Sequence, residues 1–211
     1  MKQILVYGDS LTWGADPATG LRHPVAQRWP NVLQAGLGAQ AHVIQDGLGG
    51  RTTCFDDHAA PCCRNAVKTL PVALMANMPL DLVIVMLGTN DLKPVHGGVA
   101  LGAQAGMRRL VQLVATLPYK PATAIPQMLI VAPPLCRMAR NRPLDSAQRI
   151  AESRKLSHLY EKLSVEMGVA FFDASRVAEA SEIDGVHLDQ ANTSAIGAAL
   201  VAPVRTLLAR A

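Results

Sequence analysis

Five short aliphatic runs alternate with longer segments of helical spacing along this chain, and that alternation leaves few folds open. The runs cover residues 3–7, 42–45, 80–86, 128–132 and 169–172. Each is aliphatic or β-branched and bounded by Gly, Pro or polar residues, as buried parallel strands tend to be. The intervening and following segments, 29–37, 67–75, 98–117, 146–167 and 191–209, are predicted helices. In the fourth of these, Ile150, Leu156, Leu159, Tyr160, Leu163 and Met167 form an apolar face, and Gly168 supplies a C-terminal stop. Repeated strand-then-helix units predict an α/β class protein. The expected architecture is a three-layer α/β/α sandwich on a five-stranded parallel sheet, flavodoxin-like, with strand order 2-1-3-4-5. No internal repeat or low-complexity linker divides the chain, so residues 1–211 are expected to form one domain.

Composition narrows the function. Half of the residues are hydrophobic and 17% are charged, enough to bury a core and too few charges for a disordered chain. The formal charge is +4, spread without a dense Lys/Arg run, and aromatic residues make up 4%. Both features argue against a nucleic-acid partner. No apolar run approaches the roughly 20 residues that span a bilayer, so no membrane partner is expected. The N-terminus lacks the pattern of a signal peptide, and the expected compartment is the cytoplasm. Cys54, Cys62, Cys63 and Cys136 read as free thiols, and the absence of a Cys-x-x-Cys pair argues against structural zinc.

Four turns near predicted strand ends carry unusual residues. The first is Gly8-Asp9-Ser10-Leu11. In an open α/β sheet, ligands bind at the carboxyl ends of strands, so Ser10 is presented to a ligand. Asp9 and Ser10 are also good helix caps, and the turn alone does not choose between the two roles. The second is Gly47-Leu48-Gly49-Gly50-Arg51-Thr52-Thr53, where glycines let the backbone approach a ligand. Its spacing is neither G-x-G-x-x-G nor a P-loop. The third is Gly88-Thr89-Asn90-Asp91, in which the Asn90 amide is a candidate donor to a developing oxyanion. The fourth is Asp184-Gly185-Val186-His187. That spacing can bring the Asp184 carboxylate onto His187 Nδ1–H and leave Nε2 free to take a proton from a serine. His42 and His158 read as structural, and His58 beside Asp56 and Asp57 lacks a further ligand pattern for a metal.

In this order and at these strand ends, the four turns resemble the four sequence blocks of the SGNH hydrolases, the GDSL esterase/lipase family. Ser10, Gly50, Asn90 and His187 stand at the four named positions. The stretches 8–14, 28–29, 47–53 and 80–91 look like the bacterial arylesterase/acyltransferase branch. The resemblance implies a serine esterase acting on short-chain carboxylic esters through an acyl-serine intermediate. Ser10, His187 and Asp184 would be its nucleophile, base and orienting acid. The Ser10 and Gly50 backbone amides and the Asn90 side chain would form the oxyanion hole. Leu11, Trp13, Thr89, Lys93 and Val186 are the candidate pocket residues. Asp9 is expected to hold the nucleophile turn, and Asp91 to be structural. No cofactor and no metal are implied. The expected partners are a small-molecule ester and, for acyl transfer, an alcohol acceptor. The resemblance also implies a homo-oligomer, with the apolar region 70–78 and the long loops as candidate interface. Within the family, a deacetylase of acetylated sugars, a lysophospholipase or a thioesterase are the alternatives. From another class, a non-catalytic carbohydrate- or nucleotide-binding module remains open. The long loops 15–28 and 54–65, and a third segment at 133–143, are expected to wall the site.

Overall fold

The computed structural model describes residues 1–121, 123–140 and 146–209. Its strands are β1 (Lys2–Gly8), β2 (Ala41–Gly47), β3 (Leu82–Met86), β4 (Gln127–Ala132) and β5 (Ala170–Asp173). The helices are α1 (Ser10–Trp13), α2 (Trp29–Leu37), α3 (Ala66–Asn77), α4 (Ala100–Thr116), α5 (Ser146–Met167) and α6 (Gln190–Leu208). The strands form one parallel sheet in the order β2-β1-β3-β4-β5, the topology expected from the sequence.

The two cores follow from the period of a strand, in which successive side chains point to opposite faces. Along β1, Leu5 and Tyr7 pack with Leu70 and Leu74 of α3, Met107 and Leu110 of α4, and Tyr160 of α5. Ile4 and Val6 turn the other way, onto Trp29 and Leu33 of α2 and Ile196 and Leu200 of α6. All five residues of β3 are buried, so the central strand is apolar throughout. Fully burying a side chain of this size contributes about 1.5–3 kcal/mol.

Helix and strand limits differ from the sequence reading at a few places. The third strand starts at Leu82 and not at residue 80; Asp81, just before it, still donates from N to Gln3 O at 2.8 Å and accepts at O from Gln127 N at 3.0 Å. Its carboxylate accepts from Gln3 N at 2.7 Å and Lys2 Nζ at 2.9 Å. In the 70–78 region, Leu70 and Leu74 belong to the core, while Val72 and Met75 are exposed. Among the described residues, no helix is long and apolar enough to cross a membrane.

The register sets up the site. Gly8 pairs with Gly47 on one side and with Met86 on the other. The carboxyl ends of β1, β2 and β3 therefore lie in line, and the turns bearing Ser10, Gly50 and Asn90 emerge side by side.

Candidate active site

Ser10 opens α1, a single turn directly after β1, with Asp9 as its N-cap. Asp9 Oδ1 accepts from Leu11 N at 2.9 Å, which holds the turn as expected. Asp184 and His187 lie in the turn before α6. Asp184 Oδ1 accepts from Val186 N at 3.0 Å and from His187 N at 2.9 Å. These two amides fix the carboxylate, and its Oδ2 lies 2.6 Å from His187 Nδ1. His187 Nε2 lies 2.9 Å from Ser10 Oγ. Residues 177 positions apart thus close an acid–imidazole–hydroxyl chain. Burial works against the charge of Asp184, but the His187 hydrogen bond and the two amides outweigh it and pull its pKa down to about 2.

A cavity of about 620 Å³ opens over this chain. Ser10, Asp184 and His187 line it, with Gly50 and Asn90. Of the predicted pocket residues, Thr89, Lys93 and Val186 line it too. Leu11 and Trp13 do not. Leu11 is buried in the core between α2 and α6, and the Trp13 ring lies 5.2 Å from the Arg22 guanidinium that covers it. Pro17 comes from the 15–28 loop, and Ala139 from the 133–143 segment, as walls; positions 141–143 of that segment lie outside the described residues. Arg149 and Ile183 complete the lining without any signal in the sequence. No residue of the 54–65 loop lines the cavity, against expectation; the loop packs behind it, with the Arg64 guanidinium against Gly50.

Beneath the cavity lies a buried polar layer. Arg51, 4% exposed, donates from Nη1 to Gly8 O at 2.8 Å and to Asp46 O at 2.6 Å, and from Nη2 to Asp46 Oδ1 at 2.8 Å. Its guanidinium stacks 3.9 Å from the Tyr7 ring centre. Arg51 so locks the ends of β1 and β2 beneath the glycine-rich turn. Asn90 Nδ2 donates to Arg51 O at 3.1 Å and approaches Asp9 Oδ2 at 3.2 Å. Asp91 accepts from Thr53 N with both oxygens at 3.1 Å, and from Thr53 Oγ1. Burial pushes Asp9 up to about 6, against the Leu11 amide and the surrounding cations. Burial likewise lifts Asp91 to about 7, against the Thr53 donors.

Asp56 and Asp57 hold their loop and do not converge with His58 on a metal. Asp56 accepts from Lys68 Nζ at 2.7 Å and Asn65 Nδ2 at 3.0 Å, and Asp57 accepts from Arg64 Nη1 at 2.9 Å. No group of three or more His, Cys, Asp or Glu among the described residues could hold a metal ion.

A parallel sheet bearing a hydrogen-bonded Ser–His–Asp chain at its carboxyl edge is the architecture of a serine hydrolase. The model of the GDSL-like lipase/acylhydrolase family matches residues 6–192, and the chain belongs to that family. Among solved structures, one assigned as an arylesterase from Agrobacterium tumefaciens is 60% identical, with a TM-score of 0.95 over 98% of this chain and 100% of that one. A carbohydrate acetylesterase family member from Sinorhizobium meliloti is 46% identical, with a TM-score of 0.97 over 99% and 100%. The aryl esterase of M. smegmatis is 39% identical, with a TM-score of 0.90 over 98% and 100%. A search of curated proteins found no match.

Proposed function

We propose that this chain is a serine esterase of the arylesterase type, hydrolysing short-chain carboxylic esters through an acyl-serine intermediate. The observation that carries the reading is the contact of 2.9 Å between His187 Nε2 and Ser10 Oγ, with Asp184 fixed behind the imidazole. Ser10 Oγ attacks the ester carbonyl while His187 Nε2 takes its proton. Asp184 holds the tautomer and stabilises the imidazolium. The Ser10 and Gly50 amides and Asn90 Nδ2 meet the tetrahedral oxyanion, Asn90 exchanging its long contact with Asp9 for the new one. His187 then returns the proton to the leaving alcohol. Water releases the acyl group, or an alcohol acceptor takes it.

The acetylesterase relative supports acetyl esters of sugars as a second substrate set for the same machinery. The exposed Val72 and Met75 on α3 support a homo-oligomeric interface there. Hydrolysis of p-nitrophenyl acetate tests the reading, together with mass-spectrometric mapping of an organophosphonate label. Label on Ser10 and loss of turnover in Ser10→Ala are the expected results. Label elsewhere, or wild-type rates in Ser10→Ala, would sink it.

A further inference from the structure

Two cations line the cavity without a part in the proton transfers above. Lys93 follows the Asn90 turn, and Arg149 stands in the first turn of α5. Neither forms an ion pair among the described residues. The Nε–H of Arg149 is buried without an acceptor. A third cation, the Arg64 guanidinium, packs against Gly50 but is already paired with Asp57 at 2.9 Å. Asp184 is the one acid among the lining residues, and its oxygens are taken up by His187 and two backbone amides. Burial, then the nearby Arg149 and Arg64, depress the Lys93 ammonium below its ordinary pKa, against a weaker opposing pull from Asp57 and Asp9. Like cations facing a half-enclosed space are unfavourable until a ligand brings the opposite charge.

We propose that Lys93 and Arg149 form an anion subsite, and that the preferred esters carry a carboxylate or phosphate group away from the scissile bond. The proposal rests on the serine-esterase reading and adds the charge of the substrate to it. An Arg fork and a Lys point charge are the pair suited to holding such a group. If the two cations acted only on the oxyanion, every ester would benefit equally, so the ratio of rates between matched anionic and neutral esters isolates the subsite.

Two matched pairs place the anion on either side of the bond. The mono-p-nitrophenyl ester of glutaric acid is compared with p-nitrophenyl pentanoate, and O-acetyl-p-hydroxybenzoate with its carboxamide. After subtraction of the uncatalysed rate, the anionic member of at least one pair is expected to show kcat/KM higher by about tenfold. Lys93→Gln, Arg149→Gln and the double variant are expected to bring that ratio towards one. Added sodium chloride should also shrink the ratio in the wild-type protein, a readout that needs no variant. A wild-type ratio at or below one in both pairs overturns the subsite while leaving the esterase intact. A high ratio unmoved by the variants and by salt overturns it as well. Failure to turn over any of the four esters in a Ser10-dependent manner overturns the esterase reading, and the subsite with it.

Discussion

Asn90 Nδ2 lies 3.2 Å from Asp9 Oδ2, so the proposed oxyanion donor leans on a buried carboxyl group next to the nucleophile in sequence. Its other contact, to Arg51 O at 3.1 Å, ties the same amide to the glycine-rich turn. These two contacts hold Asn90 at the cavity, and its proposed role requires the Asp9 contact to give way to the oxyanion.

Asn90→Ala tests that role. Loss of one oxyanion donor is expected to lower kcat by about 10²–10³ with a smaller change in KM. Steady-state kinetics on p-nitrophenyl acetate read both constants. A variant that raises KM and spares kcat would show a ground-state contact instead. The substitution also leaves Asp9 Oδ2 without its donor, so a loss of about 1–3 kcal/mol in unfolding free energy is expected beside the kinetic effect.

The buried carboxyls set a pH dependence of stability. Asp9 and Asp91 titrate near 6 and 7 in the folded protein, above the ordinary carboxylate value of 3.8. The folded state therefore holds their protons more tightly than the unfolded state. Their favourable contribution is fully present below the unfolded value and is lost as pH rises through about 6–7. Asp184, depressed to about 2, runs the other way: its contribution is present above the unfolded value and is lost only as pH falls through about 2. Asp91→Asn removes one of the rising pair. Urea unfolding at a series of pH values is expected to show a flatter decline of stability between pH 5 and 7 than in wild type, by about 2 kcal/mol over the window. Parallel profiles for the two proteins would refute the assignment.

How far the sequence reached is visible in single residues. Ser10 and Asn90 are legible because each sits in a short turn at a predicted strand end, and parallel strands deliver such turns to one edge; Asp184 and His187 are legible from their three-residue spacing just before the last helix. Leu11 and Trp13, pocket candidates by resemblance, do not line the cavity. Successive residues of a helical turn point about 100° apart, so α1 aims Ser10 at the cavity, Leu11 at the core and Trp13 at Arg22. Arg149 was invisible for a different reason. It belongs to the start of a long polar helix, and only the packing of α5 beside β4 and β5 brings that start to the cavity. The sequence extends β3 back to residue 80 because Leu80 is buried like a strand residue, and Asp81 also bonds to β1 and β4, although the strand itself begins at Leu82.

Asp184→Asn should impair chemistry more than stability. The Val186 and His187 amides donate to Oδ1, so an asparagine there keeps its carbonyl oxygen on that side. Its NH₂ then faces His187 Nδ1, and the imidazole must carry its proton on Nε2. That tautomer cannot accept from Ser10. A fall in kcat of about 10⁴ is expected, with unfolding free energy changed by about 1–2 kcal/mol. Retained activity above a tenth of wild type would contradict the orienting role of Asp184.

Gly185 decides whether Asp184 and His187 meet at all. Its φ is +73°, and a Cβ there would stand 2.2 Å from Arg137 O. Arg137 N also donates to Gly185 O at 2.9 Å, so the two segments cannot simply part. Gly20 has a similar φ of +70° with nothing within 4 Å of its would-be Cβ. The pair separates backbone strain from collision. Gly20→Ala should cost about 1–2 kcal/mol, the price of a left-handed alanine, and leave kcat near wild type. Gly185→Ala carries the same strain and the clash besides. It is expected to lower stability by more than its control and kcat by at least about 10²-fold, because displacement of the turn by even 1 Å breaks the His187–Ser10 alignment. Thermal unfolding and initial rates on both variants make the comparison. Equal effects at the two positions would mean that the packing of this turn against Arg137 does not set the catalytic geometry.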